Sequence, residues 1–199
     1  MTFKIMLSVV LGIALGVSVF PQNMEIYMGT MIDIGLCLLL FFVGIDIGKQ
    51  GDLFKKIKKI GFKVLWVPFM VAIGSITGTI FGGILLKIPI NQAAAIGAGF
   101  GWYSLSAIEL SKHSAELGAL AFITNVSREV IAIISIPFIA KYIGKLEAIA
   151  PAGATAMDTT LPIIAKSTDG NVAMISFLTG VVLSALVPIL VPTFMMVLK

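Results

Sequence analysis

Three of the charged side chains that lie within apolar segments of this sequence could do chemistry. Arg128 and Glu129 lie in the middle of the apolar run Leu117–Ala140, and Asp158 lies in the segment GATAMDTTLP. Ionisable groups in the hydrocarbon core of a bilayer cost about 2.5–3.5 kcal/mol each on insertion scales, and they indicate a functional site by default. Adjacent helical residues do not face each other. We therefore expect Asp158, and not Glu129, to be the partner of Arg128.

Hydroxyl, amide and glycine residues surround these charges in the sequence. Asn125 precedes Glu129 by one helical turn, and threonines flank Asp158. Irregular backbone at membrane depth is tolerated only beside a cavity or inside protein, where polar side chains satisfy its freed groups. The candidate substrate-binding residues are Glu129, Asp158, Arg128, Asn125, Ser104, Tyr103, Gly101, Thr159 and Thr160. For the charged residues, the structural alternative is an ion pair that fastens one segment to another.

No pattern of an enzyme or of a metal site is present. The sequence lacks HExxH, GxSxG and P-loop motifs. Cys37 is the single cysteine and His113 the single histidine, so a metal site would depend on carboxylates. We expect no enzymatic activity, no cofactor and no metal. An intramembrane protease that pairs Asp158 with a second aspartate stays open as an alternative.

The composition is that of an integral membrane protein. Hydrophobic residues make up 58% of the 199 residues and charged residues 12%, about half the usual charged fraction of a soluble domain, and the mean hydropathy is +1.07. A membrane-spanning helix needs roughly 20 apolar residues. Five runs are long enough, or nearly so: Phe3–Phe20, Met28–Ile47, Phe62–Leu86, Leu117–Ala140 and Asn171–Leu198. We predict an all-α membrane protein with about five transmembrane helices and no extramembrane domain.

Two stretches between the last three runs are too apolar for loops and too interrupted for simple spans. Residues 87–116 and 141–170 are each 30 residues long, and an offset of 54 aligns Gly99 with Gly153, Ser104 with Asp158, and Ser106 with Thr160. A repeat unit of one span and one hairpin crosses the membrane once, because the hairpin returns to the side from which it entered. The next unit therefore has the opposite orientation in the membrane. We therefore predict two N-terminal helices in 1–61, then an inverted-repeat core in 62–199 with two re-entrant, broken-helix hairpins, as in secondary transporters.

The lysines predict the orientation. Five of them lie in the cluster Lys55–Lys63, and short basic loops mark the cytoplasmic side. The net charge of +4 is therefore a topological signal, and we expect no nucleic acid as a partner. The hairpin arrangement also puts Lys141 and Lys145 on the cytoplasmic side. The N-terminus is then inside and the C-terminus outside.

Three motifs resemble one known family. GAGFGWYSLS, NVSRE and GATAMDTTLP, in this order, are similar to the LysO family of bacterial L-lysine exporters, along the whole chain. Family members usually have about 300 residues and eight spans, and this chain resembles their C-terminal two-thirds. The resemblance implies a split system, in which a short companion membrane protein supplies the other spans, in the bacterial or archaeal cytoplasmic membrane.

The resemblance also implies a substrate and a mechanism. It implies that acidic intramembrane residues bind a cationic amino acid, and it singles out Glu129 and Asp158. Because half-helix N-termini favour an anion, we expect backbone N–H groups near Gly99–Tyr103 to bind the lysine carboxylate. No ATP-binding motif is present, so export against the membrane potential needs a driving ion. Protons are the simplest choice, because carboxyl groups removed from water have raised pKa values. Glycine-lined helix faces in contact with membrane lipid make a homodimer plausible.

Two other classes of function stay open. One is an ion-coupled carrier for another solute, such as sodium with an organic anion, in which Arg128 would bind the anion. The other is a membrane subunit without transport activity of its own, or an intramembrane enzyme. Competition by lysine or by carboxylates distinguishes the carriers.

Overall fold

The computed structural model describes residues 62–197 and the single residues Ile34, Leu38 and Phe41. Spatial proximity divides the chain into two units, Met1–Phe42 and Val43–Lys199. In the first unit, the three described residues are helical. The runs predicted at 3–20 and 28–47, the lysine cluster and Cys37 lie outside the described residues.

The described part of the second unit is entirely helical, without strands. Three of its helices are long and apolar enough to cross a membrane, and their bounds lie within a few residues of the predicted runs. In chain order the helices are α1 (Trp66–Leu85), α2 (Ile90–Gly97), α3 (Tyr103–Ser111), α4 (Ala115–Tyr142), α5 (Leu161–Ser167) and α6 (Gly170–Val197). Helices α1, α4 and α6 are the three candidate spans. This architecture is that of an integral membrane protein.

The first interrupted stretch doubles back at its middle. Helix α2 runs antiparallel to α1, because Ala93 packs on Gly83 while Gly97, at the end of α2, packs on Ser75 near the middle of α1. Glycine permits this close approach, since a Cβ on Gly97 would overlap the Thr79 hydroxyl.

Helix α3 then returns along α4. Ser106 lies beside Asn125 in the middle of α4, and Ser111 packs on Gly118 near its start. The first half of the stretch therefore packs along the C-terminal half of α1, and its second half returns beside the beginning of α4.

The second stretch also doubles back. Lys145 Nζ, just after α4, lies 3.0 Å from the carboxylate of Asp169, just before α6, so the two ends of the stretch are adjacent. Its middle reaches well along α6, where the Ser176 hydroxyl donates to the Ala156 carbonyl at 2.8 Å. Asp169 also caps α6, because its carboxylate accepts a hydrogen bond from the Val172 N–H. This bond, and to a smaller extent the bond from Lys145, lowers the pKa of the Asp169 carboxyl below its usual range.

The descending half of the second stretch is not an α-helix. It consists of two 3-10 turns, Glu147–Ile149 and Gly153–Met157. Pro151 has no N–H to donate, and Gly153 adopts a φ of +61°, so an α-helix cannot continue through both. Pro162 starts α5 within its first turn, where proline is well tolerated. The predicted departure from the helix between Gly153 and Pro162 agrees with this backbone.

The two stretches meet at their turning points. The Ala154 N–H donates to the Phe100 carbonyl at 2.8 Å. The chain turns sharply there, with positive φ at Phe100 (49°), Gly101 (95°) and Gly153 (61°). A Cβ on Gly153 would overlap the Phe100 carbonyl oxygen, so glycine is required for this contact. We call the contact between Phe100–Gly101 and Gly153–Ala154 the crossover.

Candidate functional site

A cavity of about 150 Å³ opens at one face of the crossover. Four described segments line it. They are the turn before α3 together with the start of α3, the middle of α4, the 3-10 turn Gly153–Met157 with the two residues after it, and the middle of α6. The lining residues are Gly101, Trp102, Tyr103, Ser104, Glu129, Ala154, Thr155, Met157, Asp158, Thr159 and Ser184. A cavity of roughly this volume holds a small organic molecule. Six of the nine predicted site residues are among them.

The cavity is acidic. Glu129 and Asp158 both line it, and among its described lining residues none is basic. Asp158 accepts hydrogen bonds from the N–H and hydroxyl of its neighbour Thr159. Glu129 has neither a hydrogen-bond nor an ion-pair partner within residues 62–197. Both carboxylates interact electrostatically with Tyr103, whose ring is fixed by an edge-to-face contact with Phe122 at 5.6 Å. The site is therefore suited to a cation.

Arg128 points away from this cavity, which differs from the expected pairing with Asp158. Its Nε donates to the Pro151 carbonyl at 3.1 Å and its Nη2 to the Ala150 carbonyl at 3.3 Å, and Nη1 donates to the Ser75 hydroxyl. Adjacent positions on α4 face different directions, so Glu129 reaches the cavity while Arg128 passes behind the crossover. The guanidinium therefore fastens the second stretch to α4 and α1 through neutral oxygens. This position gives no support to its use as an anion contact in the acidic cavity.

Asn125 also lies outside the cavity and bridges the turn of the first stretch. It is 2% exposed. Its Oδ1 accepts from the Gly101 N–H at 2.7 Å, and its Nδ2 donates to the carbonyls of Ala121 and Ile96 and to the Ser106 hydroxyl, at 2.9–3.3 Å. One side chain therefore satisfies backbone groups on both sides of the break. Its position makes it a positioning residue.

We expect Asn125→Ala to destabilise the protein strongly. The substitution leaves the buried Gly101 N–H without its acceptor, at about 1–3 kcal/mol, whereas the Ile96 carbonyl keeps the Gly99 N–H as a donor. The midpoint of thermal unfolding of the detergent-purified protein should fall by about 3–10 °C. Asn171→Ala, at the exposed start of α6, is the matched control and should leave the midpoint unchanged. Equal midpoints for the two variants would contradict this role of Asn125.

The backbone amides from Gly99 to Tyr103 are not available for a ligand. Gly99, Phe100, Trp102 and Tyr103 donate to nearby carbonyls, and Gly101 donates to Asn125. The expected carboxylate contact therefore does not lie there. The next two N–H groups, of Ser104 and Leu105 in the first turn of α3, have no backbone acceptor in the described part of the chain, as is usual for a helix start.

Thr160 is fully buried beneath the cavity and does not line it. Its hydroxyl donates to the Thr155 carbonyl at 2.9 Å, which closes the turn that presents Asp158. Sequence reasoning did not include Trp102, Met157 and Ser184 among the candidate site residues. Met157 could have been inferred from its position next to Asp158, whereas Ser184 has only its polarity within an apolar run as a signal. Residues 62–197 contain no group of three His, Cys, Asp or Glu side chains that could bind a metal.

Comparisons with known proteins agree with the motifs. A family model described as "Lysine exporter LysO" matches residues 6–195. Lysine exporter LysO of Escherichia coli (strain K12) is 35% identical over 189 residues, which are 94% of this chain and 61% of the relative. A putative lysine exporter of Haemophilus influenzae (strain ATCC 51907 / DSM 11121 / KW20 / Rd) is 32% identical over 197 residues, 96% of each chain.

The chain thus spans about three-fifths of the length of the E. coli relative. No solved structure matches it. The family is one of transporters and not of enzymes. On the match along nearly its whole length, the chain belongs to the lysine exporter LysO family.

Proposed function

We propose that this protein exports L-lysine across the bacterial cytoplasmic membrane in exchange for protons. The observation that supports this most directly is the acidic cavity at the crossover, which both carboxylates line without a basic residue among its described lining residues. Within residues 62–197, neither Glu129 nor Asp158 has an ion-pair partner. Both relatives are named as lysine exporters, one of them as putative. Two carboxylates that face one cavity, with no basic group in the described part of its wall, repel each other, so a cationic substrate stabilises this site.

The polar groups of the cavity suggest how lysine binds. Its ammonium groups pair with Glu129 and Asp158. Its carboxylate binds at the first turn of α3, where the N–H groups of Ser104 and Leu105 have no backbone acceptor within residues 62–197 and the helix dipole favours an anion. The Ser104 hydroxyl lines the cavity beside them and makes no hydrogen bond within residues 62–197. Tyr103 and Thr159 complete the contacts, and Gly101 allows the backbone to turn at the cavity edge.

Proton exchange fits the same two carboxylates. Moving one positive charge outward against an inside-negative potential costs about 2.3 kcal/mol per 100 mV. Low-dielectric surroundings favour the neutral form of a carboxyl group. A proton and a lysine cation therefore compete for the same site, and proton entry can drive lysine exit.

We propose that the two interrupted stretches are re-entrant hairpins of an inverted repeat. Each doubles back to the end of the described core from which it started, and their turns meet at the crossover. The pairs predicted at an offset of 54 occupy similar places: Ser104 and Asp158 both line the cavity. Ser106 and Thr160 are both fully buried, and each donates to a carbonyl of its own turn.

The arrangement in the membrane completes the proposal. Lys141, Lys145 and Lys166 lie at one end of the described core, and the basic-inside rule places this end in the cytoplasm. The C-terminus is then outside and the N-terminus inside. We propose that a short companion membrane protein supplies spans equivalent to the part of the E. coli relative that this chain does not match. A homodimer within the lipid is also proposed.

Efflux from a lysine-sensitive strain without its own exporter tests the function. Cells are loaded with a lysine-containing dipeptide, and external lysine is measured with this chain alone, with the neighbouring short membrane protein alone, and with both. We expect efflux with both proteins and a loss of efflux when a protonophore removes the proton gradient. Absence of efflux in every arm, with the protein detected in the membrane, would contradict lysine export. Efflux that survives the protonophore would contradict the proton coupling alone.

A further inference from the structure

Pro188 removes one backbone hydrogen bond from α6. Helix α6 continues from Gly170 to Val197 with Pro188 and Pro192 in its interior. In an α-helix the N–H of each residue donates to the carbonyl four residues earlier, and proline has no N–H. The carbonyl of Ser184 therefore lacks its normal helical donor.

Ser184 is the residue by which α6 reaches the acidic cavity. It is 2% exposed, and it is the one residue of α6 among the described lining residues. Positions i and i+4 share a helix face, so the helix opens at Pro188 on the side that carries Ser184. The Ser184 hydroxyl is itself only weakly engaged, at 3.8 Å from the Met157 sulfur.

The substrate proposed above needs neutral acceptors as well as carboxylates. An ammonium group has three N–H donors, and each must be satisfied when water is removed. Glu129 and Asp158 supply the counter-charge from α4 and from the second stretch. Ser184 of α6, which carries a carbonyl without its helical donor and a hydroxyl, is at the remaining wall of the same cavity.

We infer that the backbone carbonyl of Ser184, released by Pro188, accepts a hydrogen bond from an ammonium group of the substrate, with the Ser184 hydroxyl beside it. The site thus binds a primary ammonium from three elements, α4, the second stretch and α6. This inference rests on the proposed function, because it assigns a further contact in the lysine site. It makes Pro188 a positioning residue, which acts through Ser184 without touching the substrate.

The other interior prolines provide a comparison. Pro192 releases the carbonyl of Pro188, and Pro137 in α4 releases that of Ile133. Neither Pro188 nor Ile133 lines the acidic cavity. Pro192→Ala is therefore a matched control, because it restores the same kind of backbone bond one turn further along the same helix.

The test is lysine binding to the purified protein, together with its companion if efflux requires it, in sodium-free choline buffer. Pro188→Ala restores the helical donor to Ser184 and should weaken lysine binding about ten- to a hundredfold, the range for a bond to a charged group. Pro192→Ala should leave the dissociation constant unchanged. Because alanine favours helix more than proline does, neither variant should unfold at a lower temperature than the wild type.

Ser184→Ala gives a second measurement, since it removes the hydroxyl and keeps the carbonyl. We expect a smaller loss of affinity than for Pro188→Ala. The inference would be overturned if Pro188→Ala bound lysine as tightly as the unmodified protein, or if Pro192→Ala lost as much affinity as Pro188→Ala. In both cases, lysine binding by the unmodified protein would still support lysine as the substrate. Lysine binding that appears only when sodium is added would reassign the carbonyl to a sodium ion and also overturn it. A wild-type protein without any lysine binding would overturn the proposed function itself.

Discussion

We expect Glu129→Gln to abolish lysine efflux while the protein remains folded in the membrane. Glutamine keeps the size of the side chain and removes its charge. Glu129 makes no hydrogen bond or ion pair within the described residues, so the fold should not depend on the charge. Glu129 is half-buried, and a hydrogen bond to a charged group contributes about 1.5–3 kcal/mol, which corresponds to about ten- to a hundredfold weaker binding of the lysine ammonium. The measurement is efflux from dipeptide-loaded cells, normalised to the amount of protein in the membrane.

Glu116→Gln is the matched control. Glu116 lies in the first turn of the same helix and is exposed, and it does not line the cavity. Its substitution should leave efflux near the wild-type rate. Near-normal efflux from Glu129→Gln would show that the transported cation does not bind at this carboxylate, and the proposed site would then be wrong.

The largest expected effect on folding comes from Gly153→Ala. Gly153 has a φ of +61°, a conformation that costs a non-glycine residue about 1–2 kcal/mol. The new methyl group would also overlap the Phe100 carbonyl oxygen, which accepts the hydrogen bond between the two turns. We expect little or no monodisperse protein in fluorescence-detected size-exclusion chromatography of detergent extracts.

Gly170→Ala separates this effect from a general intolerance of glycine substitution. Gly170 begins α6, and a Cβ there would meet no described atom within 4 Å. The variant should be extracted with the same yield and elution profile as the wild type. A Gly153→Ala protein with wild-type yield and profile would mean that the crossover is not a fixed contact of the fold.

Hydropathy was sufficient to predict the three candidate spans in the described part. A run of about 20 apolar residues matches the thickness of the hydrocarbon core and is rarely found for any other reason. The two interrupted stretches could also be located, since their glycines, prolines and hydroxyl residues conflict with a simple span. The internal form of these stretches could not be predicted. The residues before Asp158 form 3-10 turns and not an α-helix because of Pro151, Gly153 and a hydrogen bond from the Ala154 N–H to the Phe100 carbonyl. Phe100 is distant in sequence, so its contribution could not be predicted from the local pattern.

The candidate site was predicted by residue type and corrected by geometry. Glu129 and Asp158 line one cavity, as their position in apolar segments indicated. Arg128 was expected to neutralise Asp158, yet it binds three neutral oxygens behind the crossover. A sequence shows that a buried charge needs partners, but it does not show which side of a turn those partners occupy. The same limitation applies to the amides of Gly99–Tyr103, which the protein uses for its own turn.

The contact between the two turns also bears on how far a substrate must move. Helices α2 and α3 have 8 and 9 residues and are therefore about 12–14 Å long, close to half of a hydrocarbon core about 30 Å thick. Under the proposed function, a cation bound beside Phe100 and Ala154 lies near the middle of the bilayer, so about half of the hydrocarbon core separates it from the water on either side.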